Sequence, residues 1–291
     1  MSDKVEKVMG TGTGSDTGKK PIKLYSHAGG PNPWKVAIFL NELELPYETE
    51  LMQFPDLKKD PFEKLNPNGR VPAIEDPNTG MTLWESGAII EYLLETYDPK
   101  GNTYLLFQDI SESCLGASPS VRTETQDADT LLRSIPLIVL TTIYWENINK
   151  TGLRYTEGAA KWEQKCWAEL QMSGQGPYFG QRAWFVLYHP EKNLTSCLDR
   201  YGNEIKRVMG VIDSHLKKSG RPYLCGDQCS YADVMFVPWH WLLTQKPYLM
   251  GEDFVSEWQK EYPTCWEWAQ KLEQRPAVNK AREARSQAMS G

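Results

Sequence analysis

Between Ile22 and Leu94 the spacing of apolar positions changes several times, and each change marks an element. Ile22-Lys23-Leu24-Tyr25-Ser26 alternates and predicts a strand, whereas Val36, Phe39, Leu40 and Leu43 recur at helical spacing. The Gly/Pro-rich stretch from Ser26 to Lys35 is therefore a strand-to-helix junction. Tyr47-Glu48-Thr49-Glu50-Leu51 alternates like a second strand, and Asp60 to Leu65 reads as a short turn or helix. Val71-Pro72-Ala73-Ile74-Glu75 predicts a third strand with Pro72 at its entry, because proline cannot donate to a ladder. Asp76 to Gly80 is a hairpin-like turn, Met81-Thr82-Leu83-Trp84 the returning strand, and Ile89, Ile90, Leu93 and Leu94 a helix opened by Glu85-Ser86-Gly87. The order is strand, helix, strand, strand, strand, helix.

The second half reads as helical throughout. Lys161 to Met172 is amphipathic and runs into a segment where glycines and Pro177 should bend or break it. Leu198 to Leu216 forms another amphipathic pattern, and Ser230 with Asp233 has the spacing of a capping box at the start of the apolar run Val234 to Trp239. Trp258, Trp266, Leu272 and Arg275-Pro276-Ala277-Val278 complete a helical domain.

Composition narrows the function classes. The 291 residues are 40% hydrophobic and 24% charged, which suits a globular chain of one large or two ordinary domains. A net charge of −6 and the absence of a basic block interleaved with aromatics argue against a nucleic-acid partner. Met1 to Lys20 is polar and lacks an apolar core, so we read it as a disordered tail, neither a secretory signal nor a membrane anchor. The six cysteines include no C-x-x-C pair and no histidines at ligand spacing, so core thiols in a reducing, cytoplasmic setting are expected and no metal.

The junction carries the candidate chemistry. On this reading Asn32 is the N-cap of the first helix and Pro33 its first residue, so that a polar amide stands beside the positive end of a helix dipole. Ser86 at the start of a later helix could hold a carboxylate with its hydroxyl and the free N–H groups, while Glu85 could meet an ammonium.

The order of elements, together with Ser-His-Ala-Gly-Gly-Pro-Asn-Pro-Trp-Lys, Asn-Pro-Asn-Gly-Arg-Val-Pro-Ala and Trp-Glu-Ser-Gly-Ala-Ile, resembles cytosolic glutathione transferases. The likeness is strongest to the fungal subclass similar to the yeast nitrogen-regulator prion protein. It implies an α/β thioredoxin-like N-terminal domain over residues 21–97 and an all-α C-terminal domain over residues 153–291. It also implies a cis Val71-Pro72 bond, with Val71 and Pro72 at the cysteinyl part of glutathione and Glu85 and Ser86 at its γ-glutamyl end. Asn32 matches the subclass's thiolate-stabilising asparagine. The bent helix of the subclass implies Tyr178, Phe179 and Trp184 as lining of the electrophile pocket, and the Ser230/Asp233 box is structural there.

The function so implied is conjugation of the glutathione thiolate to small electrophiles, in detoxification or secondary metabolism, by a chain that could pair as a homodimer. Glutathione-dependent peroxide or disulfide reduction, and a non-catalytic regulator that binds a partner protein, are the alternatives. The chain departs from the family pattern at residues 98–152, about 55 residues where a short linker is expected, and structureless loops beyond about 12–15 residues are uncommon. We read this stretch as an insert outside the functional module, a translated non-coding sequence in preference to a lid.

Overall fold

The computed structural model describes residues 7–8, 18–99, 151–192 and 194–290. Strands β1 (Lys7–Val8), β2 (Ile22–Ser26), β3 (Tyr47–Leu51), β4 (Ala73–Asp76) and β5 (Met81–Trp84) form one sheet in the order β1-β3-β2-β4-β5. The β2–β3 pair is parallel, with Ile22 opposite Tyr47 and Ser26 opposite Leu51; the other pairs are antiparallel. The parallel pair requires a crossover, which α1 (Pro31–Glu42) provides. Strand β1 corrects the reading of Met1 to Lys20 as wholly disordered, because Lys7 and Val8 pair with Glu50 and Thr49 on the sheet edge.

Helices α2 (Phe62–Leu65) and α3 (Ser86–Tyr97) complete this unit. The helical unit contains α4 (Gly158–Leu170), a π-helical turn (Gln171–Gln175), α5 (Gly176–Leu187) and α6 (Thr195–Ser219). It continues with α7 (Tyr231–Met235), α8 (Val237–Gln245), α9 (Phe254–Glu261), α10 (Pro263–Glu273) and α11 (Pro276–Ser290). The expected bend is this π turn: the chain winds one wide turn and resumes as α5 with Pro177 in its first two positions, where a missing N–H does least harm. The run Val234 to Trp239 is split at Phe236 between α7 and α8, with Pro238 again near a helix start.

Helix α1 explains how the two units join. Its apolar stripe predicts one buried face, yet every residue from Pro33 to Leu40 is buried, because the sheet and α3 cover one side and α8 and α11 the other. Arg275 clamps Glu42 at the far end of α1 with two hydrogen bonds of 2.6 and 2.9 Å, the bidentate geometry that gives such pairs their strength. Asp98 and Thr151 flank the anomalous segment, and the Thr151 hydroxyl donates to the Asp98 carboxylate while Arg154 donates to the Pro99 carbonyl. Chain leaving the first unit and chain entering the second are thus fastened together. Residues 100–150, on which the reading of an insert rests, lie outside the described residues.

The expected capping box forms. Asp233 Oδ2 accepts from the Ser230 amide at 2.9 Å and the Ser230 hydroxyl at 2.7 Å, while Oδ1 accepts from the Leu224 amide and Trp268 Nε1, both at 2.9 Å. Burial pushes the Asp233 carboxyl upward and these donors pull it back. Through Trp268 it fastens the start of α7 to α10, a tie the sequence reading of a helix cap did not include. Among the described residues, no helix is long and apolar enough to cross a membrane.

Candidate functional site

Two helix starts converge where the units meet. Helix α1 begins at Pro31 with Gly30 as its N-cap, so Asn32 is the second helical residue and not the cap, and Pro33 is the third. The difference matters chemically. Pro31 and Pro33 have no N–H, so this helix end presents few of the backbone donors that normally make such a terminus attractive to anions. What it presents instead is the Asn32 side chain.

That side chain is held by the other unit. Trp239 Nε1 on α8 donates to Asn32 Oδ1 at 3.1 Å. An indole nitrogen can only donate, so the contact must be to the amide oxygen, and the two N–H groups of Nδ2 face away from it. Trp34 steadies the preceding turn by donating from Nε1 to the Ala28 carbonyl at 2.8 Å, and the Gly29 amide donates to His27 Nδ1 at 3.2 Å. His27 packs at a tilt against Phe54, 4.4 Å between ring centroids, and partial burial lowers its pKa.

Helix α3 begins differently. Glu85 is its N-cap and lies at φ 69°, a region that costs a non-glycine residue roughly 1–3 kcal/mol and persists where the surroundings enforce it. Ser86, the first helical residue, is buried, and its hydroxyl points at Met172 Sδ, 3.7 Å away. The exposed Glu85 carboxylate accepts from Asn68 Nδ2 at 3.3 Å. The turn before Val71 is set by the buried Asn66, whose Oδ1 accepts from the Asn68 amide and whose Nδ2 donates to the Arg70 carbonyl. Gly69 in that turn has φ 55°, and a Cβ there would meet the Leu57 carbonyl at 2.6 Å. The Val71–Pro72 bond is cis, as is Asp60–Pro61. Among the described residues no hydrogen bond takes up the amide or carbonyl of Val71, so a strand-like backbone partner could use both.

A buried lysine joins the two helix starts. Lys35, one turn into α1 from Asn32, lies 3.3 Å from the same Met172 sulfur that Ser86 faces, and its Nζ donates to Gln171 Oε1 at 2.7 Å. Gln171 Nε2 donates to Gln175 Oε1, and Gln175 Nε2 to the Phe236 carbonyl, so a buried polar chain crosses from α1 through the π turn to the α7–α8 break. Burial lowers the Lys35 ammonium to about 7, against a smaller upward pull from the Glu85 carboxylate. The Lys35 amine and the Ser86 hydroxyl thus meet at one sulfur, that of Met172.

The three aromatic candidates on α5 do not share a surface. Phe179 is 1% exposed and packs edge-on against Trp239, so it belongs to the core and corrects the pocket assignment. Tyr178 turns toward Tyr201 on α6, and Trp184 is exposed beside Phe185 and His189. Adjacent residues on a helix point about 100° apart, and here that separates Tyr178, facing α6, from the buried Phe179, facing α8. The sequence reading missed Trp239, Lys35, Gln171 and Met172. Only Lys35 left a signal, as a cation at a position where the helical stripe is otherwise apolar on both sides.

Among the described residues no group of histidines, cysteines and acids could hold a metal ion. Cys225, Cys229 and Cys265 are buried, and burial pushes their thiols upward, which makes them poor nucleophiles; Cys166 is exposed and Cys197 half-buried.

Residues 20–95 match the family described as "Glutathione S-transferase, N-terminal domain", and residues 181–285 match "Glutathione S-transferase, C-terminal domain". The glutathione S-transferase-like protein OpS6 of Beauveria bassiana is 38% identical over 263 residues, spanning 90% of this chain and 94% of that protein. The glutathione transferase URE2P6 of Phanerochaete chrysosporium, solved with oxidized glutathione, superposes with a TM-score of 0.67 at 35% identity, over 92% of this chain and 98% of that one. Ure2p5 from the same organism, cocrystallized with 1-(S-glutathionyl)-2,4-dinitrobenzene, gives a TM-score of 0.65 at 30% identity, over 93% and 97% of the two chains.

Proposed function

Because the chain belongs to the glutathione S-transferase family, we propose that it joins the thiolate of glutathione to small electrophiles, with Asn32 stabilising the thiolate. The observation that carries this reading is the orientation of the Asn32 amide, whose oxygen is occupied by Trp239 and whose N–H groups remain to donate. Lowering a cysteine-like thiol from about 8.5 to about 6.5 requires about 2.7 kcal/mol of preference for the charged form. A helix terminus contributes about 0.3–1 kcal/mol, and this one, bracketed by Pro31 and Pro33, has few backbone donors to add. One hydrogen bond to an anion contributes about 1.5–3 kcal/mol, so the side-chain amide supplies most of the preference.

The rest of glutathione follows from the remaining groups. The Val71 amide and carbonyl suit the cysteinyl backbone, the Ser86 helix start suits the γ-glutamyl carboxylate, and the Glu85 carboxylate suits its ammonium. In the reaction the thiol proton passes to solvent, the thiolate forms a bond to an electrophilic carbon, and the leaving group departs with its bonding pair. Positioning and the lowered thiol pKa are the two catalytic devices. The Ure2p5 complex with a glutathionyl-dinitrobenzene conjugate supports aromatic electrophiles as the class to try first.

The test is conjugation of glutathione to chlorodinitrobenzene by the full chain and by Asn32→Ala, with glutathione affinity measured beside each. Turnover that collapses in Asn32→Ala while affinity persists is expected. Glutathione binding without turnover in the unaltered chain would instead favour a regulatory protein that keeps the fold and binds a partner.

A further inference from the structure

We propose that Trp239 is a positioning residue for the reaction, fixing the Asn32 amide with its N–H groups toward the sulfur and making thiolate formation depend on the docking of α8. The inference rests on the assignment of Asn32 above and extends it to a residue 207 positions away in sequence.

An asparagine amide has two faces of opposite polarity that are almost the same size, so packing alone cannot choose between them. If the oxygen faced the sulfur, it would repel the thiolate that the site must favour. The indole N–H settles the choice, because turning Nδ2 toward it would set donor against donor. Accepting a hydrogen bond at Oδ1 also polarises the amide and strengthens Nδ2 as a donor, since linked hydrogen bonds reinforce one another.

The indole is itself built in. A Cβ at Gly180 would meet Trp239 Cη2 at 3.3 Å, tighter than ordinary contact, and Gly176 lines the same ring at contact distance, so Gly180 leaves a flat seat for the ring. Phe179, one residue before Gly180, closes it edge-on at 6.3 Å between centroids. Trp239 is only 6% exposed, and its N–H is aimed out of this seat at Asn32. The glycine-rich segment that suggested a bend in the sequence thus serves a second purpose. Gly180 lets α5 approach α8 closely enough to hold the indole with its N–H against Asn32 at the start of α1.

The decisive comparison keeps the ring and removes only the N–H. Trp239 is replaced by 3-benzothienylalanine through codon suppression, with Trp239→Phe as the genetic counterpart, and Asn32→Ala is made alongside. The readouts are the thiol pKa of bound glutathione from ultraviolet thiolate absorbance, the pH profile of conjugation, and affinity for S-methylglutathione, which has no thiol to ionise. The expected result is a raised thiol pKa and conjugation at neutral pH reduced about threefold to tenfold, recovering at pH above the free-thiol value of about 8.5, with S-methylglutathione affinity unchanged. A purely structural role for the indole would leave the thiol pKa where it was. If Asn32→Ala raises the thiol pKa and the benzothienyl variant does not, the role of Trp239 is overturned and that of Asn32 stands. If Asn32→Ala itself leaves the thiol pKa unmoved, the assignment of Asn32 falls, and the role of Trp239 with it.

Discussion

The starts of α1 and α3 face the same junction, yet they are assembled from opposite materials. Helix α3 offers backbone N–H groups behind a strained Glu85 and a buried Ser86, all supplied within a few residues of one another. Helix α1 has prolines at its first and third positions and depends on one side-chain amide, whose orientation is imposed by Trp239 from the helical unit. Holding a carboxylate needs only a locally formed helix end. Stabilising a thiolate more than a thiol needs a donor that cannot turn away, and here that restraint comes from elsewhere in the chain.

Lys35, buried between the two starts, gives the largest expected effect. Its ammonium is lowered to about 7 in the folded chain from 10.5, so above about pH 7 the unfolded chain holds a proton that the folded one has released. Stability should therefore rise with pH, at up to about 1.4 kcal/mol per unit. The window ends near pH 9, where the thiols of Cys225 and Cys265, raised from 9.0 to about 12, begin to act in the opposite direction. Below about pH 7 both states keep the Lys35 proton and its contribution vanishes, leaving the rise from His240, whose imidazole burial lowers from 6.5 to about 3. Denaturant unfolding of the unaltered chain and of Lys35→Met across this range is the check; an equal slope in the variant would mean that Lys35 keeps an ordinary pKa.

Asn32→Ala comes next, with a loss of about 25-fold in conjugation at about pH 7, since raising the bound thiol from about 6.5 to about 8.5 cuts its thiolate fraction from about 0.76 to about 0.03, and little change in glutathione affinity. Ser86→Ala should do the converse. It should weaken glutathione binding by about tenfold, as expected for a lost hydrogen bond to a charged group, with kcat nearly intact, as isothermal calorimetry beside steady-state kinetics would read. Parallel losses in both variants would erase the distinction between the two helix starts.

The smallest effect sharpens the contrast. Glycine adopts the φ of 69° at position 85 without strain, so Glu85→Gly should raise thermal stability by about 1 kcal/mol while weakening the hold on the ammonium of glutathione. A destabilised Glu85→Gly chain would show that the carboxylate's contact with Asn68 Nδ2 outweighs the strain.

Much of this was legible in the sequence because it is local. Alternation in Ile22–Ser26, the Asp76–Gly80 turn, the Ser230/Asp233 box and the Glu85-Ser86 helix start all depend on residues within a few positions of each other. The exact start of α1 was misplaced by two residues, since Gly30, Pro31, Asn32 and Pro33 all fit a helix start and their local preferences do not separate them. The α5 aromatics were misjudged for a different reason. Whether Phe179 lines a pocket or a core depends on which face of α5 the indole of Trp239 covers, and no periodicity within α5 reports that.

By itself the sequence determined most of the elements, their order, the start of α3 and the residue types at the site, because short-range hydrogen bonds and side-chain spacing carry that information. Tertiary structure alone decided which way the Asn32 amide points, that Lys35 is buried, and that Ser86 and Lys35 share the Met172 sulfur. The physical reason is separation along the chain. The partners lie 207, 137 and 86 positions apart, and a side chain's donor direction or charge is set by whatever the fold finally places against it.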